Sequence, residues 1–134
     1  MATTTSSISV SSSDLTGNSI AVSSTNTLYK AGTVIGLDQT TGLSSKYYAA
    51  AQSNATLVSA GTYEDNTANW VYIKNPGSST EDYFTVELGA SNIVIGRLYG
   101  GDWMWIPYEG EQDIDISSSA TKMTLETMVI YQDA

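Results

Sequence analysis

Histidine and cysteine are both absent from this sequence, and a good deal of chemistry goes with them. Without cysteine no disulfide or thiolate zinc site can hold the fold, so stability has to come from packing and strand pairing. Without histidine the commonest general base is missing, and without cysteine so is the strongest nucleophile at neutral pH. A Ser-His-Asp site is therefore excluded.

Basic residues are scarce as well, 5 against 14 acidic ones, for a net charge of -9. Such a chain repels a phosphate backbone over the whole reach of the Debye length, so neither nucleic acid nor an anionic membrane is an expected partner. No apolar run approaches the roughly 20 residues of a membrane helix. The Ser/Thr-rich opening, residues 1–13, has neither the basic start nor the apolar centre of a secretion signal.

What is present points to sheets. Ser and Thr make up about a quarter of the chain, β-branched and aromatic residues are plentiful, and charged residues are only 14%, a mixture suited to strands and turns. A hydrophobic share of 41% over 134 residues fits one globular domain with its own core. The expected division is a flexible Ser/Thr-rich N-terminal arm over 1–13, either a frayed terminus or a segment ordered by a neighbour, and a single domain over 14–134.

Apolar residues recur mostly at a period of two, the mark of strands with alternating faces. Ile8 with Val10 and Ile20 with Val22 read as early strands with one buried face, followed by 34–37. The segment 46–50, with Tyr47, Tyr48 and the alanines after them, is compatible with a strand or a short helix. Beyond it the pattern predicts strands at 56–59, 69–75, 83–89, 93–99, 102–108, 112–117 and 123–132. Seven short strands of this kind make an antiparallel sandwich or barrel.

Turn chemistry suggests two hairpins. Asn75-Pro76-Gly77 fits a type II turn joining 70–74 to 83–88, with proline fixing one φ and glycine supplying a positive one. Gly100-Gly101 fits a tight turn joining 93–98 to 102–106.

Strand faces say more than strand existence. Phe84, Val86 and Leu88 oppose Thr85 and Glu87, the pattern of one face in the core and one in water. In 102–108, by contrast, Trp103 and Trp105 point one way and Met104 and Ile106 the other, so both faces are large and apolar. Ile93 and Ile95 against Val94 and Leu98 repeat this. So does the last strand, with Met128 and Ile130 opposite Met123, Leu125, Val129 and Tyr131. A two-layer sandwich has one core, so something must cover the second faces. One solution is a loop or the Ser/Thr-rich segment folding over the sheet. The other is a subunit contact, with Trp103, Met104, Trp105, Ile106, Met128 and Ile130 as interface candidates and a homo-oligomer, trimer or dimer, as the expected state.

Candidate catalytic groups reduce to carboxylates. Asp113 and Asp115 are two apart on a strand and share a face about 7 Å apart, near the spacing of inverting glycosidases. The pattern equally describes a solvated acidic edge of Glu109, Glu111, Asp113 and Asp115, which is the expectation here. No spaced Asp-x-Asp-x-Asp-Gly calcium loop and no phosphate-binding glycine fingerprint occurs, and Asn54-Ala55-Thr56 is a sequon too short to carry weight. No catalytic residue, metal site or cofactor is expected.

The order of motifs from Trp70 to Tyr131 resembles that of small bacteriophage structural proteins. It runs Trp70-Val71-Tyr72-Ile73-Lys74-Asn75, Tyr83-Phe84-Thr85-Val86, Ile95-Gly96-Arg97-Leu98, a Gly-Asp turn, Trp105-Ile106-Pro107 and a closing apolar strand. The resemblance implies a jelly roll or similar sandwich on the outer surface of a phage head, a cement or decoration protein binding the major capsid protein. It implies less directly a tail or fibre component. A carbohydrate-binding module with Trp and Tyr as stacking platforms is the alternative of a different class.

Overall fold

In the computed structural model, which describes residues 3–132, every regular element is a strand. The chain divides into two compact units, Met1–Asp38 and Gln39–Ala134. The boundary expected at Ser13 falls inside the first unit, and of the arm expected over 1–13, residues 1 and 2 lie outside the described residues, as do 133 and 134 at the other end.

The first unit is built on a hairpin. β1 (Thr5–Ser12) pairs antiparallel with β2 (Ile20–Thr27), so most of the expected arm is a strand. Val10 lies opposite Val22, and Ser7 and Thr25 join their hydroxyls at 2.9 Å. The early strands thus exist, but the buried face expected of them does not: Ile8, Val10 and Val22 are all exposed. The segment 34–37 is not a strand either. It contributes one bridge, Gly36 to Tyr29, with Val34 and Ile35 exposed while Leu28 and Leu37 are buried. Lys30 and Asp38 close this unit with a 2.9 Å ion pair.

The second unit is a β-sandwich. One sheet has the order β5-β10-β7-β8, formed by Ala55–Val58, Ile114–Ser118, Tyr83–Leu88 and Ile93–Tyr99. The other has β11 (Met123–Tyr131) between β6 (Asn69–Lys74) and the short strands β3 (Gln39–Thr40) and β4 (Ser44–Tyr48), with β9 (Trp103–Tyr108) at the far edge beside β6. The segment expected as strand or helix at 46–50 is thus mainly strand. Counted from β4 to β11 as eight strands, the first pairs with the last, the second with the seventh, the third with the sixth and the fourth with the fifth. This nested pairing is the order of a jelly roll.

Nesting overturns both expected hairpins. β6 pairs with β11 and β9, not with β7, and β8 pairs with β7, not with β9. The turns at Asn75-Pro76-Gly77 and Gly100-Gly101 are corners where the chain passes from one sheet to the other. Gly77 does not take the positive φ of a type II turn, whereas Gly101 does, at 91°. Gly100 is needed for space: a Cβ there would lie 2.7 Å from the backbone N and O of Ser79.

The core lies between the sheets. Val71, Ile73, Phe84, Val86, Ile114, Ile116 and Leu125 are wholly buried, and Tyr48, Val58, Leu98, Tyr108 and Val129 nearly so. Strict alternation along β6 follows from one covered face, whereas β7 and β10 also bury Glu87 and Asp115 on their other side.

Candidate functional site

The face of the β11-β6-β9 sheet turned away from the core carries the largest side chains of the molecule. On β6, Asn69, Val71 and Ile73 are buried, which turns Trp70, Tyr72 and Lys74 outward. Strand register places Pro107 beside Trp70, Trp105 beside Tyr72 and Trp103 beside Lys74. On the other flank Ile130 lies beside Trp70, Met128 beside Tyr72 and Glu126 beside Lys74. Three cross-strand rows result: Pro107-Trp70-Ile130, Trp105-Tyr72-Met128 and Trp103-Lys74-Glu126.

All three tryptophans of the chain therefore share one face. Trp70 and Trp105 stack diagonally, centroids 5.2 Å apart and planes 23° from parallel, an arrangement open to diagonal neighbours on adjacent strands. Trp103 is 52% exposed. The Trp105 Nε1 donor is shielded from water and has no acceptor. The Tyr72 phenol is held above its ordinary range by burial and then by Glu126. β9 is also a sheet edge, pairing with β6 alone, and Pro107 is tolerated there because an edge strand has one ladder to satisfy.

Of the six interface candidates, Trp103, Trp105, Met128 and Ile130 lie on this face. Met104 and Ile106 do not: they turn inward and pack against the core, so they belong to the protein's own interior. Trp70, Tyr72 and Pro107 were missed, although the alternation of 69–74 already set Trp70, Tyr72 and Lys74 opposite the apolar Val71 and Ile73.

No family model, curated protein or solved structure matches this chain.

Two hollows flank the tryptophan face. One of about 610 Å³ is lined by polar groups including Ser45, Asn75, Asp82, Lys122 and Glu126, with no aromatic side chain. A shallower one of about 320 Å³ is lined by Trp70 with Thr67, Asn69, Pro107, Tyr108 and Glu109. On the second sheet, the edge strand β8 exposes Ile93, Val94 and Ile95 together, so the two sides read from alternation are both open to water there and Leu98 alone is buried.

The acidic segment is not one solvated edge. Glu109 and Glu111 are exposed, and the Glu109 carboxyl is raised chiefly by its hydrogen bond with Glu111. Asp113 caps a turn, its Oδ1 accepting from Ala60 N at 2.7 Å. Asp115 is buried, lying across the strand pair from Glu87. Glu87 is buried too, against the expectation of a water-facing residue. Among the described residues no group of three or more acidic side chains converges.

Proposed function

We propose that this chain is a non-enzymatic structural protein of a phage particle, a cement or decoration protein that bridges adjacent major capsid subunits on the outer surface of the head, after assembly in the host cytoplasm. The observation that carries the reading is the collection of Trp70, Trp103 and Trp105 on one outer face of a jelly-roll sheet. Large aromatics beside Met128 and Ile130, with one charge of each sign at the rim, have the make-up of an interface centre. The motif order from Trp70 to Tyr131 supports placement on a virion.

The mechanism is additive. Each copy contributes a modest apolar contact with its own kind or the shell, and many symmetric contacts reinforce one another through effective concentration. A net charge of -9 keeps the free protein soluble and away from the packaged nucleic acid.

A carbohydrate-binding module is the second reading, favoured by the hollow in which Trp70 stands beside Asn69 and Glu109. The mass of the purified protein by light scattering, repeated with Trp103→Ser and Trp105→Ser, separates the two. A dimer or trimer that dissociates in the variants supports assembly. A monomer unaffected by either change, with tryptophan fluorescence quenched by oligosaccharides, replaces the cement reading with sugar binding.

A further inference from the structure

Both irregularities in the pairing of the strands meet at one cross-strand pair. The β10-β5 ladder shifts register between Ile114 and Asp115, and the β7-β8 ladder shifts between Val86 and Glu87. Asp115 and Glu87 are direct partners across β10 and β7, which puts their Cβ atoms about 5 Å apart. Ile114, Ile116, Phe84 and Val86 face the core, so the two carboxylates lie on the opposite face. They are nevertheless only 6% and 4% exposed. Bulges gather where a strand must re-aim side chains.

The pair is short of positive charge. Asp115 Oδ1 and Glu87 Oε2 are each cut off from water without a hydrogen-bond partner. Glu87 Oε1 accepts from Ser117 Oγ at 2.6 Å, and that hydroxyl in turn accepts from Asn54 N at 3.0 Å, which fixes the Glu87 carboxylate. The row containing the pair runs Thr56-Asp115-Glu87-Val94 and holds no cation. The five basic residues of the chain are all placed elsewhere. Lys30 pairs with Asp38, Lys46 lies over Tyr48, Lys74 is on the tryptophan face, Lys122 lines the polar hollow, and Arg97 lies 4.2 Å over the Tyr83 ring. Like charges directly opposite in a sheet repel, and burial strengthens the repulsion.

We propose that Glu87 and Asp115 bind a hard divalent cation, Ca²⁺ in the first instance, on the outer face of the four-stranded sheet. Two carboxylates balance its charge, and oxygen is the donor it prefers. Ca²⁺ accepts an irregular shell, where Mg²⁺ demands near-octahedral geometry. With two anionic protein ligands the affinity falls at the weak end, about 10⁻⁴–10⁻³ M. The inference is independent of the tryptophan face and survives or fails apart from it.

Equilibrium dialysis of the wild-type chain against radioactive Ca²⁺ at neutral pH, with thermal unfolding in Ca²⁺ or chelator, tests it. One ion per chain and a midpoint raised by about 4 °C at tenfold saturation are expected. Asp115→Asn and Glu87→Gln should lose both, and the exposed control Glu109→Gln should keep both. Ser117→Ala keeps both carboxylates but releases Glu87 Oε1, so a several-fold change in Ca²⁺ affinity reports the same location even if a carboxylate variant fails to fold. Absence of a bound ion from the wild-type chain, its undiminished retention in Asp115→Asn or Glu87→Gln, or an unchanged Ca²⁺ affinity in Ser117→Ala, overturns the proposal.

Discussion

Asn75 Nδ2 donates a 2.9 Å hydrogen bond to the carbonyl of Leu98, tying the end of β6 in one sheet to β8 in the other. Asn75 is 3% exposed and fully bonded: its Oδ1 accepts from Gly77 N at 3.0 Å, its N donates to Asp102 O, and its carbonyl accepts from Gly101 N. One side chain and its backbone thus hold two of the corners at which the chain changes sheets, the one after β6 and the one before β9. Asn75→Ala leaves the Leu98 carbonyl and Gly77 N–H without these partners and should cost about 1–3 kcal/mol. A fall in denaturation midpoint at constant m-value checks it.

The second of those corners is also limited by space. Gly100→Ala drives a Cβ into the Ser79 backbone and should destabilise by about 1–3 kcal/mol. Gly17→Ala, with open space around it, should stay within about 0.5 kcal/mol of wild type. Thermal unfolding of the two variants side by side measures the contrast.

Isoleucines of the same chemistry should divide by position. Ile73→Ala empties a wholly buried site and should cost about 2–5 kcal/mol. Ile93 is 66% exposed, so Ile93→Ala should change stability by less than about 0.5 kcal/mol. It should also slow aggregation, because β8 is an apolar sheet edge. Chemical denaturation and turbidity report the two effects.

Tyr108 provides a test in pH. Its phenol is pushed up to about 12 from the ordinary 10.0, first by burial and then by Asp113, and its hydroxyl donates to Gln112 O at 2.5 Å. A folded pKa above the unfolded one means stability that is whole below pH 10 and lost as pH rises towards 12. Tyr108→Phe should flatten that decline in the unfolding midpoint, and ultraviolet titration should show one fewer late-ionising phenol.

How far the site could be read in advance differs from strand to strand. The alternation of 102–108 separated Trp103 and Trp105 from Met104 and Ile106 correctly, yet gave no sign of which pair faced out. The sides were settled by β6, whose Val71 and Ile73 enter the core and draw Met104 and Ile106 in beside them. The Glu87-Asp115 pair was invisible because its partners are far apart in sequence, and a charged residue in an alternating strand ordinarily meets water. Both hairpins were misjudged for a related reason: a Pro-Gly or Gly-Gly turn reverses the chain equally well within a sheet or between sheets.

What the sequence determined by itself was the class of the protein and the place of most of its strands. Period-two alternation, turn residues and the lack of cysteine are local properties, and they act wherever the strand ends up. Only the tertiary structure decided that β4 closes on β11, β5 on β10 and β6 on β9, and with that which residues share a face. Alternation tells a strand which side to bury, but most strands of the sandwich offer a similar apolar side. The choice of neighbour rests on how all the buried side chains fill one core together.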